Sequence, residues 1–160
     1  MVRVAINGFG RIGRTFFRLA FGNPDFEVVA VNDLGDLENL AYLLKYDTVY
    51  GRSPFEVEVK DGKLLVKGKE VSFVQEKEPA KLPWKDLNVD IVVESTGFFT
   101  SYEGAKLHLD AGAKRVVVSA PMKEGEIPQG INGATVLMGV NHQALATCQI
   151  SSNASCTTNA

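Results

Sequence analysis

Val2-Arg3-Val4-Ala5-Ile6-Asn7-Gly8-Phe9-Gly10-Arg11-Ile12-Gly13 opens the chain, and its reading decides the fold. A short apolar strand, Val2 to Ile6, runs into a G-x-G-x-x-G loop. Residues 10–21 then carry Ile12, Phe16, Leu19 and Ala20 at helical spacing, which predicts a helix with those side chains on its inner face. Gly22-Asn23-Pro24-Asp25 ends it, and Phe26 to Asn32 is a second apolar strand. A strand–helix–strand unit of about 30 residues implies parallel strands joined by a right-handed crossover. The glycines alone describe any tight turn. Here they follow a strand and open a helix, and Asp33 stands about 20 positions beyond Gly13 at the end of the next strand. That combination points to a dinucleotide. Gly8 permits the turn, Gly10 lets a pyrophosphate approach the backbone, and Gly13 lets helix and strand pack closely. The helix N-terminus supplies N–H groups and partial positive charge.

Asp33 also bears on the choice of dinucleotide. Its carboxylate can accept hydrogen bonds from both adenosine ribose hydroxyls, whereas a 2′-phosphate would meet a like charge. At about 4 Å and an effective dielectric of about 20, one unit of repulsion is about 4 kcal/mol. NAD is therefore expected over NADP. The competing reading of Asp33 is a cap on the helix expected over 37–45.

Working outward, residues 55–76 alternate Phe55, Val57 and Val59, turn at Asp61-Gly62, continue through Leu64 and Val66, turn near Gly68 and resume at Val71 and Phe73. This is an antiparallel meander. The parallel pattern then returns, with strands over 89–94 and 115–119, a helix over 101–111, a further strand over 135–140 and a last short one over 148–151. Runs such as Ile91-Val92-Val93 and Val116-Val117-Val118 suit strands covered on both faces. The expected fold is α/β, a doubly wound Rossmann-type parallel sheet with an inserted antiparallel β meander. In such sheets ligands lie at the carboxyl ends of the strands. Ser95-Thr96-Gly97 and Ser119-Ala120-Pro121 hold those positions, as cofactor contacts or as ordinary caps and turns.

Bulk properties narrow the function classes. The 160 residues suffice for one domain with a real core, and 45% hydrophobic and 22% charged residues are ordinary for a globular chain. A net charge of −2 argues against nucleic acid as the main partner. No apolar run approaches membrane-spanning length, and no signal peptide is read. Two cysteines, Cys148 and Cys156, are too few for a disulfide framework or a metal site, so a reduced, cytoplasmic setting and no metal are expected.

Cys156 lies in Ser152-Asn153-Ala154-Ser155-Cys156-Thr157-Thr158-Asn159. Thiols react as thiolates and need activation, which a helix start at Ser155 would favour. The hydroxyls of Ser155 and Thr157 could bond a phosphate or an oxyanion. Composition and spacing alone favour a small buried cysteine in a capping turn. Cys148 has no such surroundings and reads as structural.

Asn7-Gly8-Phe9-Gly10-Arg11-Ile12-Gly13-Arg14, Val31-Asn32-Asp33-Leu34, Leu43-Leu44-Lys45-Tyr46-Asp47, Glu94-Ser95-Thr96-Gly97, Ser119-Ala120-Pro121, Gly139-Val140-Asn141-His142 and the Cys156 octapeptide resemble the phosphorylating glyceraldehyde-3-phosphate dehydrogenases, in order along the whole chain. The resemblance reverses the reading of Cys156. It implies an NAD-dependent oxidoreductase of glycolysis that converts glyceraldehyde 3-phosphate and inorganic phosphate to 1,3-bisphosphoglycerate through a Cys156 thioester. It also implies that Arg11, Ile12, Asp33, Lys77 and Ser119 contact the cofactor, that Ser155 and Thr157 contact substrate or phosphate, and that the full-length enzyme is a cytoplasmic homotetramer. Residues 1–160 are then the NAD-binding domain. The catalytic domain, with the histidine that activates the thiol, is expected after residue 160, and the isolated chain is expected to bind NAD weakly and turn over negligibly.

His108 and His142 match no catalytic base and read as structural or exposed. Ala160 stands where many relatives carry a second cysteine, and the loop from Met122 to Ala134 reads as longer than usual. The alternatives are erythrose-4-phosphate dehydrogenase and a stand-alone NAD-binding module without turnover. Aspartate-semialdehyde dehydrogenase fits less well, because its glycine loop is spaced differently and it prefers NADP.

Overall fold

The computed structural model describes residues 1–123 and 125–160. Glu124, within the loop expected to be long, lies outside them. The strands are β1 (Val2–Asn7), β2 (Phe26–Asn32), β3 (Tyr46–Asp47), β4 (Gly51–Arg52), β5 (Val57–Lys60), β6 (Lys63–Val66), β7 (Lys69–Val74), β8 (Ile91–Glu94), β9 (Arg115–Val118), β10 (Gly133–Thr135) and β11 (Ile150–Ser152). The helices are α1 (Arg11–Ala20), α2 (Leu37–Lys45), α3 (Tyr102–Asp110) and the single turn α4 (Cys156–Asn159).

Nine strands form one sheet in the order β10-β11-β9-β8-β1-β2-β7-β6-β5. From β10 to β7 every pairing is parallel, and β7-β6 and β6-β5 are antiparallel. Strand order reverses direction between β1 and β8. Such a switch point opens a crevice at the carboxyl ends of the strands. The meander is therefore continuous with the main sheet, because β7 pairs with β2 on one edge and β6 on the other. Its turns have positive φ at both central residues, 52° and 73° at Asp61-Gly62 and 51° and 72° at Lys67-Gly68. This is the two-residue hairpin geometry that matches strand twist.

Alternation along the strands divides the core. Ile6, Val31, Leu64, Val66 and Val71 pack with Phe9, Phe17 and Leu44 under α1 and α2. Ala5, Ala30 and Val92 face Trp84, Val89 and Ala113 on the other side. Phe9, Phe17, Phe21 and Phe55 form a run of ring contacts 5.0–5.5 Å between centroids.

Two expectations need correction. The buried face of α1 is Gly13, Phe17 and Ala20, while Ile12 and Leu19 are 55% and 76% exposed. Gly13 sets the rotation. A Cβ there would lie 2.0 Å from the Gly8 carbonyl oxygen, so this position must face the loop, and Phe17 and Ala20 follow at i+4 and i+7. The strand expected over 135–140 lies instead at Gly133–Thr135. Beyond it Asn141 closes a turn, its Oδ1 accepting from Leu137 N–H (2.7 Å) and its Nδ2 donating to Thr135 O (2.9 Å). Gly139 has φ 85°, and Met138 and Val140 are exposed. The β3–β4 hairpin was not expected. Arg18 secures its base, donating to Leu44 O at the end of α2 and to Gly51 O.

Candidate functional site

A cleft of about 940 Å³ opens at the switch point, within the range of small-molecule sites. Gly8, Gly10, Asp33, Lys77, Ser95 and Thr96 line it, with Asn7, Asn32, Glu76, Phe98 and Phe99. Arg11, Ile12, Gly13, Ser119, Ser155, Cys156 and Thr157 do not.

The glycines divide the work by space. A Cβ on Gly8 (φ 91°) would lie 2.6 Å from Thr96 N and one on Gly13 would strike Gly8, whereas a Cβ on Gly10 would meet no atom of the described residues within 4 Å. So Gly8 and Gly13 close the backbone together, and Gly10 leaves the approach open. Gly10 caps α1 without a side chain, and the first turn holds no acid. The N–H groups of Arg11, Ile12 and Gly13 therefore lack intrahelical acceptors, as an anion site requires. Arg14 Nη1 donates to Phe9 O (2.7 Å), bracing the loop from behind. Burial, helped by the neighbouring Arg11, pushes its guanidinium pKa down.

Asp33 braces the same loop. Its Oδ2 accepts from Phe9 N–H (2.7 Å) and its Oδ1 from Gly35 N–H (2.8 Å). It is not the helix cap. That role is Asp36's, which accepts from Asn39 N–H. Arg11 turns away from the cleft to pair with Asp47 at 2.9 Å. The carboxyl pKa of Asp47 is lowered first by the N–H groups of Tyr50 and Val49 and then by Arg11. Only the backbone of Arg11 remains for a ligand at the helix start. Lys77 is exposed on the far rim between Glu76 and Glu78. The Ser95 hydroxyl is buried and has no hydrogen-bond partner among the described residues. Open space over Gly10, unpaired amides, Asp33 on the rim and an orphaned hydroxyl together fit a dinucleotide.

Cys156 sits after β11, also at a carboxyl end, on the exposed turn α4. The buried capping-turn reading is therefore incorrect. It is Cys148 that is buried. Ser155 caps α4, accepting from Thr158 N–H (3.0 Å), and its Oγ lies 2.9 Å from Thr157 Oγ1. Both hydroxyls expected to hold substrate thus contact each other. Ser119 holds the end of β9, its N–H donating to Glu94 O (3.0 Å). His142 is exposed, and His108 is completely buried.

The family model described as "Glyceraldehyde 3-phosphate dehydrogenase, NAD binding domain" matches residues 2–102. The chain belongs to the glyceraldehyde-3-phosphate dehydrogenase family. NAD is the cofactor of the matched domain. Over 99% of its length the chain is 54% identical to the glyceraldehyde-3-phosphate dehydrogenase of Geobacillus stearothermophilus and 52% identical to that of Thermotoga maritima, covering 46% of each. It is 49% identical to the cytosolic enzyme of Trypanosoma brucei, again covering 46%. The chain thus spans about half the length of the curated relatives it matches. Among the described residues no helix is long and apolar enough to cross a membrane.

One group of residues escaped the sequence reading. Asn7, Asn32 and Glu94 end β1, β2 and β8, and all three are buried and bonded beneath the cleft. Their signal was available, as a polar residue closing the apolar run at the end of each of three strands.

Proposed function

We propose that residues 1–160 form the NAD-binding domain of a phosphorylating glyceraldehyde-3-phosphate dehydrogenase of the cytoplasm, homotetrameric at full length, with Cys156 as its nucleophile. The observation that carries this is the crevice between β1 and β8, lined by Gly8, Gly10 and Asp33 just ahead of the open start of α1, in a family member. The α1 amides hold the pyrophosphate, and Asp33 holds the adenosine ribose. Lys77, Ser95, Thr96 and Ser119 complete the cofactor contacts, together with the backbone at Arg11 and Ile12. Bound NAD supplies the hydride acceptor. Cys156 Sγ bonds to the aldehyde carbon of glyceraldehyde 3-phosphate. That carbon then loses a hydride and its hydroxyl a proton, leaving a thioester on Sγ. A phosphate oxygen attacks the thioester, the C–S bond breaks, and Sγ leaves as thiolate with 1,3-bisphosphoglycerate as product. Ser155 and Thr157 turn their hydroxyls from each other to the incoming phosphate. His108 is sealed beneath the cleft, and the proton acceptor belongs to the catalytic domain expected after residue 160.

Calorimetry and an NADH assay test this. The chain should bind NAD yet form NADH negligibly with glyceraldehyde 3-phosphate and phosphate, since general-base catalysis is worth about 10²–10⁴-fold. The longer reading frame should turn over, and Cys156→Ser in it should abolish turnover while keeping NAD bound. Robust turnover by a verified 160-residue species, or faster oxidation of erythrose 4-phosphate by the longer form, would overturn the assignment.

A further inference from the structure

A polar chain runs beneath the cleft, and its two arms converge on one carboxylate. Trp84 Nε1 donates to His108 Nδ1 (3.0 Å). An indole N–H can only donate, so Nδ1 accepts and the ring proton sits on Nε2, which donates to Glu94 Oε2 (2.9 Å). From the other side, Glu76 N–H donates to Asn32 Oδ1 (2.9 Å), Asn32 Nδ2 to Asn7 Oδ1 (2.6 Å), and Asn7 Nδ2 to Glu94 Oε2 (2.6 Å). The 3.4 Å approach of Asn7 Nδ2 to His108 Nε2 is then a contact between two donors sharing one oxygen. Both arms end on the Glu94 carboxylate, and each starts at a group that only donates.

The second oxygen of Glu94 faces the site. Its Oε1 accepts from the backbone N–H of Thr96 (2.7 Å) and from the Thr96 hydroxyl. Ser95 N–H is held by Asn7 O (2.7 Å). The rim formed by these two residues is pinned, while the Ser95 hydroxyl is left buried with no partner among the described residues. Gly8 packs against the same rim, so a shift of Thr96 would disturb the glycine loop as well.

We propose that Glu94 is a positioning residue for the cofactor, with the Trp84–His108 and Asn32–Asn7 arms orienting its carboxylate so that it fixes the Ser95–Thr96 rim against the dinucleotide. This rests on the reading of the cleft as the NAD site. Asp33 serves the adenosine half, on the β2 side of the crevice. The rim lies on the β8 side and serves the half beyond the pyrophosphate. An amide in place of the carboxylate has one accepting atom instead of two. Either orientation sets its NH2 against a fixed donor: Thr96 N–H, where the hydroxyl alone could turn to accept, or Asn7 and His108. Neither arm can reverse to compensate.

The test is calorimetric titration of the chain and its Glu94→Gln variant with NAD and, separately, with AMP, which occupies only the Asp33 side. Glu94→Gln should weaken NAD at least tenfold and leave AMP within threefold. Unchanged NAD affinity overturns the proposal, and so does parallel loss of NAD and AMP, which is what general loosening would give. Failure of the unaltered chain to bind NAD would overturn the underlying reading, and this proposal with it. If Glu94→Gln does not fold, His108→Leu removes one donor and keeps the carboxylate. It should weaken NAD at least threefold with AMP unchanged, and parallel loss or no loss overturns the proposal there too.

Discussion

Beneath the cleft, Asn7, Glu94 and His108 are at most 1% exposed and bonded to one another, whereas Cys156 and the three residues after it lie exposed on a single helical turn. Both regions stand at carboxyl ends of the same sheet. The cleft side is held by groups the chain itself supplies. On the Cys156 side, Ser155, Thr157 and Thr158 satisfy one another. A buried, fully bonded floor thus stands beside an exposed turn that carries Cys156.

The largest effect that could break this contrast is at Gly13. Gly13→Ala should cost about 3 kcal/mol or more, since its Cβ would overlap the Gly8 carbonyl and must displace backbone. Gly10→Ala meets open space and should stay within about 0.5 kcal/mol in urea unfolding, yet weaken NAD severalfold. Equal stability losses would show that the loop is uniformly packed and Gly10 has no special opening.

Asp33→Ser comes next. It removes a carboxylate that accepts two backbone N–H groups, worth about 1.5–3 kcal/mol for bonds to a charged group. Titrations with NAD and NADP should show weaker NAD binding and a smaller preference over NADP. Unaltered discrimination would remove Asp33 from cofactor choice. Cys156→Ser, on the exposed turn, should change stability by less than about 0.5 kcal/mol and leave NAD affinity intact. A loss above about 1 kcal/mol would mean that the turn is held more firmly than its exposure suggests.

The smallest effect lies at the opposite end of β8. Asp90 accepts from Lys114 Nζ (2.6 Å) and Arg3 N–H (2.9 Å), which hold its carboxyl pKa below the usual range. A depressed folded-state pKa contributes stability above the unfolded value, near 3.9, that is lost as pH falls through the folded value. Asp90→Asn should therefore show a shallower fall in denaturation midpoint between about pH 5 and pH 3. An unchanged slope would remove Asp90 from the acid transition.

The features legible in the sequence were those fixed by local pattern. Gly8, Gly10 and Gly13 between a strand and a helix, and Asp33 closing the next strand, marked the crevice. The turns at Asp61-Gly62 and Gly68 marked the meander. What failed depended on distant partners. The face of α1 is set by the Gly13–Gly8 approach, which outranks the apolar spacing of Ile12 and Leu19. The reach of β10 is set by β11 and stops at the Asn141 turn. His108, read as structural or exposed, is buried, but its partners, Trp84 and Glu94, lie 24 and 14 positions away and leave no local pattern.

The two-sided pairing of β7 has a kinetic consequence. Its hairpin partners are reached through two-residue turns, and such hairpins close in about 1–10 μs. Pairing β1 with β8 must join segments some 87 residues apart, as Val4 with Ile91, and loop closure over that span is slow. The meander should assemble early and offer its free edge as a template for β2. The crevice between β1 and β8 should be among the last parts to close, so that a partly folded chain has no grip on the nucleotide.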